Sequence, residues 1–340
     1  MLYYYALLYY NINLKQINTM KKIHLISTLI GLLAFSTISK ADLKVVTSIK
    51  PIHSLASYIM DGVGSPGLIV DGYNSPHSFQ LKPSHAKMLE QADIIFWVGV
   101  DLENFLEKPL DTIAKKAEKI ELLEIKGIKK LKFRERNIFK EHDDHGHDAK
   151  KEEHDDHGHD AKKEEHDNHE GHGHGEYDPH IWLDPINAKV ILNEITEHLI
   201  ENDSKNASTY KSNLAKALAE IDKLIIDVIT ETNTDLSYVV FHDAYQYYEN
   251  RFNVNILGAM TVNPDVMPGA EQIHEIHEVI EHDNVSCILS EPQFNPDIIK
   301  SIAKDTNVKT GVLDPLGANL KPGKDLYFDL IRNMSASFNC

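Results

Sequence analysis

What most restricts the fold of this chain is a set of eight short, near-continuous apolar runs. Four lie on each side of a long stretch without Pro or Gly. The first four are LKVVTSI (43–49), GLIV (67–70), ADIIFWVG (92–99) and KIELLEI (119–125). The second four are LSYVVFH (236–242), VNILG (254–258), VSCILS (285–290) and VKTGVL (308–313). Strands that read as unbroken apolar runs, not as an alternation, belong to parallel sheets covered on both faces. Helical stretches fall between them: 51–60 with Pro51 near its start, 83–91, and GAEQIHEIHEVIEH (269–282).

Two sets of four βα units give an α/β chain with two Rossmann-like (βα)4 lobes. Between them, residues 204–232 repeat apolar side chains at three- and four-residue spacing, from Leu214 through Ile229. Such a helix, with Asp203 or Ser204 as its cap, would run about 43 Å and act as a stiff strut. The expected division is an N-terminal extension and signal peptide at 1–41, a first lobe at 42–203, the linker helix at 204–232 and a second lobe at 233–340. Ligands of open α/β sheets bind beyond the carboxyl ends of the strands, which puts a site in the interlobe cleft.

The N-terminus reads as an export signal. Lys21 and Lys22 precede an apolar stretch from Ile23 to Ile38, and Ser39-Lys40-Ala41 offers small residues for cleavage. The apolar stretch is short for a membrane span. Translation from Met20 accounts better for residues 1–19 than a genuine extension does. The expected location is the periplasm, with a mature chain that is monomeric and has no integral membrane segment. Two cysteines, Cys287 and Cys340, suit a disulfide in an exported chain, with two separate thiols as the alternative.

The segment from about 134 to 176 contains EHDDHGHDAKKE twice in tandem and then a degraded copy. From Glu141 to Glu176 it carries fourteen Asp/Glu against four Lys, −10 of the total net charge of −17. What is left is an ordinary soluble surface with no basic patch for nucleic acid. With almost no apolar content the segment is expected to be disordered. Ten of the twenty histidines lie in it: His142, His145, His147, His154, His157, His159, His166, His169, His172 and His174. They read as weak accessory metal sites, and an acidic solubilising linker is the alternative.

Outside that segment, His198, His274, His277 and His282 sit in charged helical patterns and read as solvated faces, as does His85 after a cap at Ser84. HEIHEVIEH lacks the H-E-x-x-H spacing of zinc proteases. His53 follows Pro51 and is a weaker candidate. Three others stand in loops or at a strand end. His77 lies in YNSPHSFQLKPS, His180 in DPHIWLDP and His242 in VVFHDAY at the carboxyl end of a strand. Three neutral imidazoles with one open position hold Zn²⁺ well, whereas Mn and Ca prefer carboxylate oxygen. Spacing alone leaves open whether the three meet or are scattered.

On TSIKPIHSLA, HSFQLKPS, WVGVDLENFLEKPL, HIWLDP, FHDAYQYYE, TVNPDVMPG, SEPQFNP and LDPLGANL, the chain resembles the high-affinity zinc-uptake periplasmic binding proteins (ZnuA type). These are the metal-binding branch of ABC-transporter solute receptors. The stretches run from about Thr47 to the C-terminus. The resemblance implies that His77, His180 and His242 are the zinc ligands and that Cys287 and Cys340 form the C-lobe disulfide. It implies an ABC permease and its ATPase as partners, and a receptor, not an enzyme. An acidic His-rich loop is typical of the group.

Some relatives have a Glu before the first ligand, where this chain has Pro76. Manganese-type relatives have second-lobe carboxylates, for which Glu291 and Asp297 offer no obvious match. Water or a loop carboxylate is therefore the expected fourth ligand, and zinc the expected ion. The alternatives are a zinc-dependent hydrolase or hydratase, and a manganese receptor or surface adhesin of the same fold. The adhesin is disfavoured because no lipid-anchor Cys follows the signal.

Overall fold

The computed structural model describes residues 42–134, 137–138, 175–262, 264, 266 and 268–340. The export signal and the ten histidines of the repeat lie outside the described residues. The first sheet contains β1 (Val45–Ile49), β2 (Gly67–Val70), β3 (Ile94–Trp97) and β4 (Glu118–Glu121), in the order β2-β1-β3-β4. The second contains β5 (Ser237–His242), β6 (Asn255–Thr261), β7 (Cys287–Ser290) and β8 (Lys309–Val312), in the order β6-β5-β7-β8. All pairings within both sheets are parallel. The two lobes therefore share one topology, with the winding direction reversing between β1 and β3 and again between β5 and β7.

Every one of the eight apolar runs forms a strand, most of them trimmed at the ends. The fourth was expected to reach 125, but β4 stops at Glu121, where the chain curls through Glu124 N–H to Glu121 C=O at 3.1 Å. Gly127, at φ 95°, continues the bend in a conformation that only glycine adopts without strain.

The helices are α1 (Lys50–Ile59), α2 (Pro83–Gln91), α3 (Val100–Thr112), α4 (Pro185–Asn202), α5 (Ala207–Glu231), α6 (Gln246–Phe252), α7 (Ala270–His282), α8 (Asp297–Thr306) and α9 (Leu326–Ser337). Pro83 starts α2, so Lys82 and not Ser84 holds the cap position. The long helix is shorter than expected. Ser204–Asn206 form a 3-10 turn, and α5 spans 25 residues, about 37 Å. It buries Tyr210, Ala217, Ile221, Leu224 and Val228 against α1, α4 and α9.

Leu43–Cys340 form one compact unit. In β5, successive side chains point to opposite faces. Tyr238 and Val240 enter the main core, whereas Val239 and Phe241 enter a second cluster with Ile276 and Val279 of α7. Cys287 and Cys340 are bridged, with Cα atoms 6.4 Å apart, tying the chain end to β7.

Contacts between the lobes are strong and polar. The ammonium of Lys50, the first residue of α1, is 3% exposed and donates to the carbonyls of Gly317, Ala318 and Leu320 at 2.8, 2.9 and 2.8 Å. Asp314 shapes that loop by accepting from the backbone N–H groups of Leu316, Gly317 and Ala318. Trp182 donates to the Pro315 carbonyl at 2.8 Å, and Arg251 of α6 grips Asp184 with two bonds of 2.7 and 2.8 Å.

Candidate metal centre

His77, His180 and His242 come together from three separate places in the chain. Each offers a ring nitrogen within 4.8 Å of the others. The ring centroids form a near-equilateral triangle, 5.6, 5.6 and 5.3 Å on its sides. His77 reaches in from the loop after β2, where its N–H donates to Ser75 Oγ at 3.2 Å. His180 enters from the 3-10 turn Ile181–Leu183, which Pro179 and Pro185 bracket. His242 ends β5 at the topological switch point beside β7, where a doubly wound sheet places its ligands.

The orientation of two of these rings is fixed from behind. His180 Nδ1 lies 2.7 Å from Asp178 Oδ1, which also accepts from the His180 backbone N–H at 2.9 Å. His242 Nδ1 lies 2.6 Å from Glu291 Oε1. Each Nδ1–H therefore donates to a carboxylate, leaving the Nε2 lone pair to face the pocket. This is the outer carboxylate–histidine arrangement that metal sites use to set tautomer and basicity. The two Nε2 atoms are 3.4 Å apart. Two Zn–N bonds of about 2.05 Å at the tetrahedral angle put their nitrogens about 3.35 Å apart, whereas an octahedral edge at such bond lengths is about 2.9 Å. The observed spacing fits the tetrahedral edge.

Burial sets the electrostatics. Burial, then the neighbouring His242, holds His180 well below the ordinary imidazole range, so it stays neutral. Burial, the largest single influence, also lowers His242, but the Glu291, Asp243 and Asp178 carboxylates together outweigh it, and the net direction is upward. Asp178 is pushed up to about 7 by burial, opposed by the His180 N–H and by Arg134. Arg134 binds Asp243 at 3.2 Å and Glu249 at 3.0 and 2.7 Å, partly neutralising the acids behind the site.

Pro76, Trp182, Gln293, Phe294 and Leu316 complete the wall. The enclosed space is about 10 Å³, room for one ion or one water. Pro76 supplies no donor atom. The expectation that Glu291 has no place at the site is corrected: it is 3% exposed, lines the pocket and leaves Oε2 without a hydrogen bond. Sequence reading also missed Asp178. Asp178 stands two residues before His180, and that short spacing was the available signal. Glu291 lies forty-nine residues from His242 and joins it only because β5 and β7 are neighbours.

Of the other histidines, His274 is exposed on α7 as expected. His53 is buried in α1, with Ser57 Oγ at 3.4 Å, and does not line the pocket. His198 is not on a solvated face, since its side chain is only 20% exposed.

Residues 45–339 match the family model described as zinc-uptake complex component A, periplasmic (ZnuA). The chain belongs to the ZnuA family. A curated relative, the high-affinity zinc uptake system protein ZnuA of Brucella abortus (strain 2308), is 48% identical over 301 residues, covering 86% of this chain and 90% of the relative. Among solved structures, a ZnuA crystal structure superposes with a TM-score of 0.66 at 20% identity, over 87% of this chain and 100% of the other. A manganese-bound periplasmic metal-binding protein from Candidatus Liberibacter asiaticus gives 0.65 at 20% identity, over 86% and 97%. Those two likenesses establish the two-lobed fold. The ZnuA fold here carries no helix, among the described residues, that is long and apolar enough to cross a membrane.

Proposed function

We propose that this ZnuA-family chain captures Zn²⁺ in the periplasm through His77, His180 and His242 and delivers it to an ABC permease and its ATPase. The observation that carries this reading is the pair of Nε2 atoms 3.4 Å apart, each with its Nδ1 against a buried carboxylate. Zinc is the cargo that suits three imidazoles at a tetrahedral edge. Water fills the fourth position, since Glu291 is committed to the far side of the His242 ring. Similarity throughout the chain to zinc-uptake receptors supports a receptor over a hydrolase.

The ten histidines from His142 to His174 act as accessory, weaker zinc sites. Their placement in the chain supports this. The described stems on either side pair Lys132 with Tyr177, and Asp178 leads directly to His180.

Competitive titration of Zn²⁺ against a chromophoric chelator tests the reading, with Mn²⁺ run in parallel. Removing Glu141–His174 keeps the Lys132–Glu176 pair and should lower stoichiometry while preserving one tight zinc site. Single Ala replacements of His77, His180 or His242 should abolish the tight site, weakening it beyond the roughly 10–100-fold that an outer partner costs. Tight binding that survives all three replacements, or preference for Mn²⁺, overturns the proposal.

A further inference from the structure

A second group of metal-type donors lies outside the cleft. Glu118 at the start of β4, and His198 and Glu201 on α4, present one carboxylate oxygen, one imidazole nitrogen and one carboxylate oxygen within 4.8 Å of one another. His198 and Glu201 are three residues apart on a helix and so share a face. Glu118 joins them from the amino end of its strand, opposite the end of the sheet that serves the cleft. The His198 ring is fixed in place. It stands edge-on to Phe96, with centroids 6.2 Å apart, and Glu194, one turn earlier, accepts from Nε2 at 3.2 Å.

That Nε2–H bond leaves the lone pair on Nδ1. Nδ1 is buried and makes no hydrogen bond, although Glu118 Oε1 is 2.8 Å away. The carboxylate lies off the direction in which an Nδ1–H would point. Two electron-rich atoms at 2.8 Å repel one another unless a proton or a metal cation lies between them. Asn202 Nδ2 holds Glu118 Oε2 at 3.0 Å, turning Oε1 toward the imidazole. Glu194 on the far ring nitrogen is the outer carboxylate that metal-binding histidines use.

We infer that Glu118, His198 and Glu201 form a second divalent-cation site for a zinc-class ion, completed by water and weaker than the cleft site. The mixed imidazole and carboxylate donors suit zinc more than a hard cation such as magnesium. Glu201 is exposed, so the ion exchanges directly with solvent.

The test follows the His198 ring nitrogens by long-range ¹H–¹⁵N NMR in the full chain, titrated with ZnCl₂, and in a separate sample with MgCl₂. The expected result is a His198 shift that develops after the first zinc equivalent is bound, is absent with magnesium, and needs at least 10-fold more zinc in Glu118→Gln. The His77, His180 and His242 resonances report the cleft separately, so failure there is distinguishable from failure here. A zinc-soaked crystal should give an anomalous peak among the three donors. His198 resonances unmoved by excess zinc, or moving identically in Glu118→Gln, overturn the site and leave His198 as a ring packed between the carboxylates of Glu118 and Glu194.

Discussion

Glu291→Gln isolates what the carboxylate behind His242 does. In the wild type, Oε1 takes the Nδ1 proton at 2.6 Å, and both side chains are almost fully buried, at 4% and 1% exposure. Glutamine keeps the size and an acceptor oxygen but removes the charge. Outer-partner replacements of this kind cost about 10–100-fold in metal affinity, or about 1.4–2.7 kcal/mol. The pH dependence changes in the opposite sense. Burial alone pushes His242 down, and the carboxylates, Glu291 foremost with Asp243 and Asp178 behind it, together raise it above the ordinary value. In the wild type, His242 therefore takes up a proton as pH falls through a value above about 6.5, and that proton competes with zinc. Without the carboxylate, His242 stays neutral to lower pH. Glu291→Gln should bind zinc 10–100-fold more weakly at pH 7.5 yet lose less affinity between pH 7.5 and 5.5. Calorimetry in buffers of different ionisation enthalpy should show fewer protons released per zinc at pH 6.5. Affinity within twofold of wild type at pH 7.5, with an unchanged pH slope, would refute the argument.

Asp178→Asn should weaken zinc binding about 10-fold or more. It should also remove the part of the acid loss that begins near pH 7, where the buried Asp178 takes up its proton, as a chelator competition at pH 7.5 and 6 would reveal. Lys50→Met leaves three carbonyls without their donor and should cost about 3 kcal/mol in urea unfolding, given about 1–3 kcal/mol per unmade buried bond. A cost under about 1 kcal/mol would mean that water replaces the ammonium. Replacing Cys287 and Cys340 by Ser opens a loop of 53 residues, for an expected loss of about 4 kcal/mol in the same assay, with the zinc affinity of the folded protein unchanged.

The strands were legible because burial on both faces leaves little freedom in composition. VVTSI and SYVVFH are fully buried along their whole length, and no other element produces such short apolar runs between turn signals. Helix ends were less legible. α3 contains Pro109 and is kinked at Glu103, at φ −123° and ψ 50°, so its sequence looks broken and the backbone does bend there. The three histidines were legible through their local setting next to prolines and at a strand end. Glu291 was not, because its partner is distant in sequence and neighbouring only through strand order. Lys50 was invisible for a related reason. A lysine after an apolar run ordinarily reads as exposed, and only the loop shaped by Asp314 provides the three carbonyls that make its burial tolerable.

Those interlobe bonds bear on how the cleft discriminates. His180 is carried by a turn that Trp182 and Asp184 fasten to the second lobe, while His242 belongs to that lobe's central strand. The distance between their Nε2 atoms is therefore set by contacts that do not involve the ion. A site whose donors are held from outside cannot contract or expand cheaply to suit a different coordination polyhedron. An ion that prefers an octahedral edge of about 2.9 Å would have to draw the two rings together by about 0.5 Å. That movement works against the Asp178 and Glu291 hydrogen bonds at 2.7 and 2.6 Å. Under the proposed zinc assignment, selectivity resides in the scaffold as much as in the three imidazoles.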